Sequence, residues 1–214
     1  QVTIDHEPVS VSLAGGETVV LQRPRYRLAE LAYGPMQEET AISPRVAPPM
    51  IGLGLLELVP EADILARADP EDRDGDGIRG IAQRSWSMAE GRVMLGRFGW
   101  KAGAPTIADQ TAAAFAADMG LSTPLDPSSA GDCTEAQAAC RAAPTGDDER
   151  EGVEVTRQMF DLVVLYARNL AVPARIGAGA PAVLAGRDLF AAIGCAQCHT
   201  PRHVTGEDPR QPHL

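Results

Sequence analysis

The sequence is short of aromatic residues and of positive charge, and it contains no long apolar run. Aromatic side chains make up 4% of the 214 residues, so alanine, leucine and valine must supply the core within a hydrophobic fraction of 44%. Lysine and arginine number 19 against 29 acidic residues, and the net charge of −10 disfavours binding to nucleic acid or anionic membranes. No run of about eighteen apolar residues occurs, so no membrane span is predicted.

Cysteine is also scarce, and two of the four cysteines lie in Gly194-Cys195-Ala196-Gln197-Cys198-His199-Thr200. Cys-x-x-Cys-His is the signature of c-type haem attachment, in which each thiol bonds to one vinyl group and the histidine becomes the proximal iron ligand. A thioredoxin-like redox pair would need a strand–helix–strand setting, and a zinc site would need a second Cys/His pair at finger spacing. The motif therefore predicts haem c, held covalently by Cys195, Cys198 and His199.

The other two cysteines, Cys133 and Cys140, are predicted to form a disulfide, since an oxidising compartment would pair them. The alternative is a pair of buried free thiols. Seven residues of straight helix would separate their Cα atoms by about 10.5 Å, whereas a disulfide tolerates at most about 7 Å. A disulfide therefore requires the helix predicted over 134–141 to begin after Cys133, with the chain turning back.

An acidic, glycine-rich loop contains Asp72-Arg73-Asp74-Gly75-Asp76-Gly77-Ile78. Acids at positions 1, 3 and 5, glycine at 6 and a backbone carbonyl at 7 match the start of a calcium loop. The twelfth position holds Gln83 rather than glutamate, so the loop is not a complete EF-hand, and a solvated acidic turn is the alternative. The predicted calcium ligands are Asp72, Asp74, Asp76 and Ile78.

The two tryptophans, Trp86 and Trp100, have two interpretations. A tryptophan close to two haems can relay electrons between them. A tryptophan in a hairpin more often belongs to the hydrophobic core.

The hydrophobic pattern predicts an α+β fold, mainly α, with small β-hairpins in the N-terminal half. Alternating apolar residues predict a hairpin over 1–23 with its turn at 14–17, and a second hairpin from 84–88 and 92–98. Residues 26–34 are ambiguous between strand and helix. Helices are predicted at 51–59, 61–68, 105–118, 134–141, 151–170 and from Pro181 onward. The helix over 151–170 is expected to bury Met159, Val163, Tyr166 and Leu170.

Two domains are predicted. Residues 1–173 would form a helical region with the hairpins, the disulfide and the calcium loop, and 174–214 would begin a class I cytochrome c-like module. In that class most of the haem pocket follows the motif, so we expect a truncated module and a chain that is part of a longer protein. The predicted strands and the many prolines disfavour the four-helix-bundle class of cytochrome. His203 is too near the motif to act as distal ligand, and His213 is expected at a disorder-prone end.

The chain resembles the di-haem c-type cytochrome oxidoreductases, a family described as peroxidase-like or thiol-oxidoreductase-like. The resemblance covers about residues 20–205, the middle portion of the family's length. One upstream Cys-x-x-Cys-His of the family is absent from this chain. The matching segments are SPRVAPP at 43–49, IGLGLLE at 51–57, ADIL at 62–65, DGDGI at 74–78, LGRFGWK at 95–101, QTAAAF at 110–115, GCAQCHTP at 194–201, and Cys133 with Cys140.

The resemblance implies a periplasmic or otherwise exported enzyme that reduces hydrogen peroxide. One haem would take electrons from a small donor protein, a cytochrome or cupredoxin, and the other would open to peroxide. No catalytic residue is assigned. Covalent haem attachment outside the cytoplasmic membrane implies a signal segment that has been removed. The alternatives are a non-catalytic electron-transfer cytochrome and a haem-less fragment, and the chain by itself is expected to be inactive.

Overall fold

The computed structural model describes residues 1–32, 34–209 and 211–213. Over these residues the chain is α+β, as predicted, with six α-helices and two separate two-stranded antiparallel sheets. No helix in the described ranges has both the length and the apolarity that crossing a membrane requires. The elements are β1 (Val2–Ser12), β2 (Thr18–Leu28), α1 (Leu53–Glu57), α2 (Glu61–Leu65), β3 (Arg84–Ser87), β4 (Arg92–Leu95), α3 (Ile107–Met119), α4 (Ala138–Arg141), α5 (Arg157–Asn169) and α6 (Pro181–Ala192).

The chain divides into two compact units. The first unit contains residues 1–47 and 133–143, and the second contains 48–132 and 144–214. The domain boundary predicted between residues 173 and 174 stays a prediction. So does the cytochrome c-like character of 174–214.

The first unit contains the predicted N-terminal hairpin. Strands β1 and β2 pair antiparallel along their whole length, from Val2 opposite Leu28 to Ser12 opposite Thr18. The turn between them needs glycine, because Gly15 and Gly16 have φ angles of 96° and 85°, in the left-handed region. Strand β2 ends at Leu28, so the first part of the ambiguous stretch is strand.

The predicted disulfide is present in the same unit. Cys133 and Cys140 are bonded, with Cα atoms 5.8 Å apart. Helix α4 begins at residue 138, after Cys133 as required but later than the predicted start at 134. The Gln137 side-chain oxygen accepts a hydrogen bond from the Thr134 backbone N–H at 2.9 Å, and the chain turns there before the helix starts.

The core of the second unit lies between α3 and α5. Its buried residues are Phe98, Ala104, Ile107, Ala112, Val155, Phe160, Val164 and Ala167. The face predicted for α5 is wrong, because Met159 and Tyr166 are 57% and 63% exposed. The helix begins only after Thr156, whose hydroxyl accepts from the Met159 backbone N–H, so the preceding residues are not helical. The buried stripe is therefore the neighbouring one, Phe160, Val164 and Ala167.

Glu57 joins three helices of this unit. Its Oε1 accepts from the backbone N–H of Ile107, the first residue of α3, at 2.9 Å. Its Oε2 accepts from Arg168 Nε in α5, also at 2.9 Å. The two side chains are only 15% and 24% exposed, so water competes weakly for this ion pair.

A buried carboxylate ties the β3–β4 hairpin to the start of α3. Asp109 is 3% exposed and accepts from the hydroxyls of Ser87 and Thr106, each at 2.7 Å. It also accepts from the Ala89 backbone N–H at 3.1 Å. All of these donors come from the polypeptide, so Asp109 has a structural role.

A second carboxylate joins two loops of the same unit. Glu154 accepts from the backbone N–H of Ser122 at 2.9 Å and from that of Gly146 at 3.0 Å. These two hydrogen bonds favour the ionised form and hold the pKa of Glu154 below its ordinary value.

Candidate haem-attachment site

The Cys-x-x-Cys-His motif lies at the end of α6. Pro181 opens this helix at its first position, as predicted, since its fixed φ suits a helix start. Gly194, with φ of 91°, ends it in the left-handed conformation. One turn of 3-10 helix, Cys195–Gln197, follows directly.

The motif itself forms a tight turn. The His199 backbone N–H donates to the Cys195 carbonyl at 3.0 Å, which places the histidine one turn beyond the first cysteine. Cys195 is half-buried, Cys198 is exposed, and both are free thiols. The turn thus carries two thiols three positions apart, with an imidazole adjoining the second, and this donor set fits c-type haem. Between residues 144 and 209 the structure has no strand, so the setting of a thioredoxin-like pair is missing there.

Helix α6 offers an apolar surface beside the imidazole. None of its residues is buried, and Leu184, Leu189 and Phe190 are 38%, 59% and 43% exposed. The rings of Phe190 and His199 meet edge to face, with centroids 5.7 Å apart and planes inclined by 60°. An exposed apolar surface next to the predicted iron ligand suits one face of a porphyrin, so these residues fit the group that the motif predicts.

The segment after the motif packs against the rest of the second unit. The Gly206 backbone N–H donates to the Leu58 carbonyl at 2.7 Å, and Gln211 is 8% exposed. His213 Nε2 lies 2.7 Å from Asn169 Oδ1, at the end of α5. The His213 imidazole thus has a hydrogen-bonding partner on a helix, while its place at a disorder-prone end stays a prediction.

The acidic loop brings its carboxylates together. Oxygen atoms of Asp72, Asp74 and Asp76 lie within 4.8 Å of one another. The loop curls because backbone N–H groups donate to these side chains, including Gly77 to Asp72 at 3.1 Å and Ile78 to Asp76 at 2.8 Å. Three converging carboxylate oxygens suit a hard cation such as calcium. Ligation by the Ile78 carbonyl stays a prediction.

A side chain within the motif contacts this loop. Gln197 Nε2 donates to Asp76 Oδ2 at 3.1 Å, across 121 positions of sequence. Sequence reasoning missed this contact because Gln197 occupies a variable position of Cys-x-x-Cys-His. The only local signal is Gly194, whose missing side chain leaves room for the glutamine amide.

The two tryptophans are not core residues. Trp86 in β3 is 59% exposed, and Trp100 in the turn after β4 is 61% exposed. Their exposure removes the core interpretation, and the electron-relay interpretation stays a prediction.

The chain is an α+β protein whose Cys-x-x-Cys-His turn carries the donor set that c-type haem attachment requires. The chain matches the family model described as "di-haem oxidoreductase, putative peroxidase" over residues 1–212, and it belongs to that family. No curated protein and no solved structure matches it.

Proposed function

We propose that this chain carries one haem c of an exported, periplasmic di-haem oxidoreductase that reduces hydrogen peroxide. The observation that carries the proposal is the turn at Cys195, Cys198 and His199, next to the exposed apolar side of α6. Membership of the di-haem family supports the peroxidase assignment. The second haem of that family name is not assigned to any residue here.

Each residue of the site has a distinct task. The thiols of Cys195 and Cys198 would form the two thioethers, and the His199 imidazole would bind the iron. Phe190 restrains the imidazole through its edge-to-face contact, and the apolar side of α6 would exclude water from a haem bound beside it. The bound haem supplies a redox-active iron that exchanges single electrons and reacts with peroxide.

The electron donor is proposed to be a small basic cytochrome or cupredoxin. The net charge of −10 favours approach of a positively charged partner and makes the association rate sensitive to ionic strength. Trp86 and Trp100 are the proposed relay residues, and their exposure is compatible with electron entry at the surface.

A calcium ion is proposed at Asp72, Asp74 and Asp76, with the Ile78 carbonyl as a further ligand. The support is the convergence of three carboxylates within 4.8 Å in a loop curled by its own backbone N–H groups. A cation would relieve the mutual repulsion of these charges.

The test is expression of the chain with a signal peptide and the c-type maturation machinery, followed by a pyridine haemochrome spectrum of denatured protein. Covalent haem is expected in the wild type and in a Cys133→Ser/Cys140→Ser control. It should be lost in Cys195→Ser/Cys198→Ser. A wild-type chain without covalent haem would refute the proposal.

Peroxide then separates catalysis from simple electron transfer. A rapid change in the Soret band on addition of hydrogen peroxide is the result expected for a site that opens to peroxide. An unchanged band would show that the haem of this chain does not open to peroxide, as expected for an electron-transfer haem with both axial positions filled.

A further inference from the structure

The orientation of the Gln197 amide follows from the groups on its two sides. An ionised carboxylate only accepts hydrogen bonds, so the nitrogen end of the amide faces Asp76 Oδ2, at 3.1 Å. The oxygen end of the amide lies close to Gly194. A Cβ atom added to Gly194 would lie only 2.7 Å from Gln197 Oε1. The glutamine side chain thus folds back over its own turn and reaches the acidic loop on the far side.

Gly194 makes this arrangement possible in two ways. Its φ of 91° is one that residues other than glycine rarely adopt. This conformation ends α6, so the turn Cys195–His199 can begin directly afterwards. It also lacks the side chain that would push the Gln197 amide away from Asp76.

Asp76 is held in place from the other side. Its Oδ1 accepts from the Ile78 backbone N–H at 2.8 Å, which leaves Oδ2 for Gln197. Gln197 therefore binds to a carboxylate, Asp76, whose position is already fixed by a hydrogen bond within its own loop. Helix α6, by contrast, has no buried residue that could hold the turn in place.

We propose that Gln197 is the positioning residue of the haem-attachment turn, docking Cys195–His199 on the acidic loop through Asp76. In this arrangement Cys195 is half-buried and Cys198 is exposed, and the amide contact would hold both thiols in place for attachment. The proposal rests on the proposed haem attachment at this turn. It adds that Gln197 orients the turn both before and after attachment.

The variant that tests it is Gln197→Ala, which removes the contact without changing charge. The matched control is Gln158→Ala, an exposed glutamine on α5. The rescue variant is Gln197→Glu with Asp76→Asn, which keeps the total charge and reverses the donor and acceptor of the same hydrogen bond. Because Asp76 is also a proposed calcium ligand, all variants are compared in the presence of a calcium chelator. In that variant the amide oxygen introduced at position 76 can still accept from the Ile78 backbone N–H. Circular dichroism of each variant checks that it is folded.

The first measurement uses the haem-free full chain, in which the Cys133–Cys140 disulfide blocks the other thiols. Iodoacetamide labelling of Cys195, resolved from Cys198 by peptide mass spectrometry, should be about three-fold faster in Gln197→Ala, a factor typical of losing one exposed hydrogen bond. The rate should stay at the wild-type value in the control and return to it in the rescue variant. Equal rates in wild type and Gln197→Ala, or a rescue variant as fast as Gln197→Ala, would overturn the proposal.

The second measurement is the midpoint potential of the haem-loaded chain. Gln197→Ala should shift the potential because the turn that carries His199 loses its anchor, and the rescue variant should restore it. An unshifted potential would also count against the proposal. A wild-type chain that fails to acquire haem would refute the proposed function alone, since the thiol rates still decide the role of Gln197.

Discussion

Replacing Glu57 by alanine should destabilise the second unit by about 3 kcal/mol. Ile107 is 1% exposed, so its N–H would be left without a partner and beyond the reach of water, at a cost of about 1–3 kcal/mol. The Arg168 guanidinium would lose its carboxylate as well. Because Arg168 is 24% exposed and can be partly rehydrated, this loss is about 1 kcal/mol, well below the 3–5 kcal/mol typical of fully buried pairs.

Urea unfolding followed by tryptophan fluorescence measures this effect, because both tryptophans lie in the second unit. Glu57→Ala should lower the unfolding midpoint at unchanged slope, and Glu57→Gln should cost only about 1 kcal/mol because its amide oxygen still accepts from Ile107. The exposed Glu149→Ala is the control. A loss below about 0.5 kcal/mol in Glu57→Ala, the range of ordinary surface substitutions, would refute the reasoning.

Four further predictions concern separate features. Cys133 and Cys140 should resist iodoacetamide in unfolded, non-reduced protein, and the loop they close should contribute about 2.5 kcal/mol; labelling of both would contradict the disulfide. The lowered pKa of Glu154 contributes stability that is present above its unfolded value of 4.5 and is lost as pH falls through the folded value. Stability of Glu154→Gln should therefore change less over that acid range, and urea melts at several pH values measure it. Calcium should raise the melting temperature of the wild type but not of Asp74→Asn, and an equal midpoint with and without chelator would favour a solvated turn. The purified chain should turn over peroxide no faster than free haem, since it has one Cys-x-x-Cys-His; faster turnover in a steady-state assay would contradict this.

Secondary-structure elements that are determined by neighbouring residues could be predicted from the sequence. The first hairpin was predictable because short runs with partly alternating apolar residues flank two adjacent glycines. The start of α6 was predictable because proline suits the first helical position. The buried face of α5 was not predictable, because two apolar stripes lie side by side on that helix. Only packing against α3 selects Phe160, Val164 and Ala167.

The same distinction between local and long-range information applies to the candidate site. Cys195, Cys198 and His199 could be proposed as haem-binding residues because the motif is encoded within five consecutive positions. The contact from Gln197 to Asp76 could not be found, because it depends on a chain reversal over 121 positions. The partner of His213 was missed for the same reason, since a histidine near the end of a sequence gives no sign of its neighbours.

Helix α6 indicates what a bound haem would contribute to the stability of this chain. It has 12 residues, about the length at which an isolated helix is marginal in water, and none of its side chains is buried. Ile193 is 66% exposed directly after the helix, and Leu189 and Phe190 remain half-exposed within it. A porphyrin covalently held at Cys195 and Cys198 would cover apolar surface that the described residues leave open to solvent. Attachment and helix packing would then stabilise each other, and this would explain why so apolar a helix leads directly into the motif.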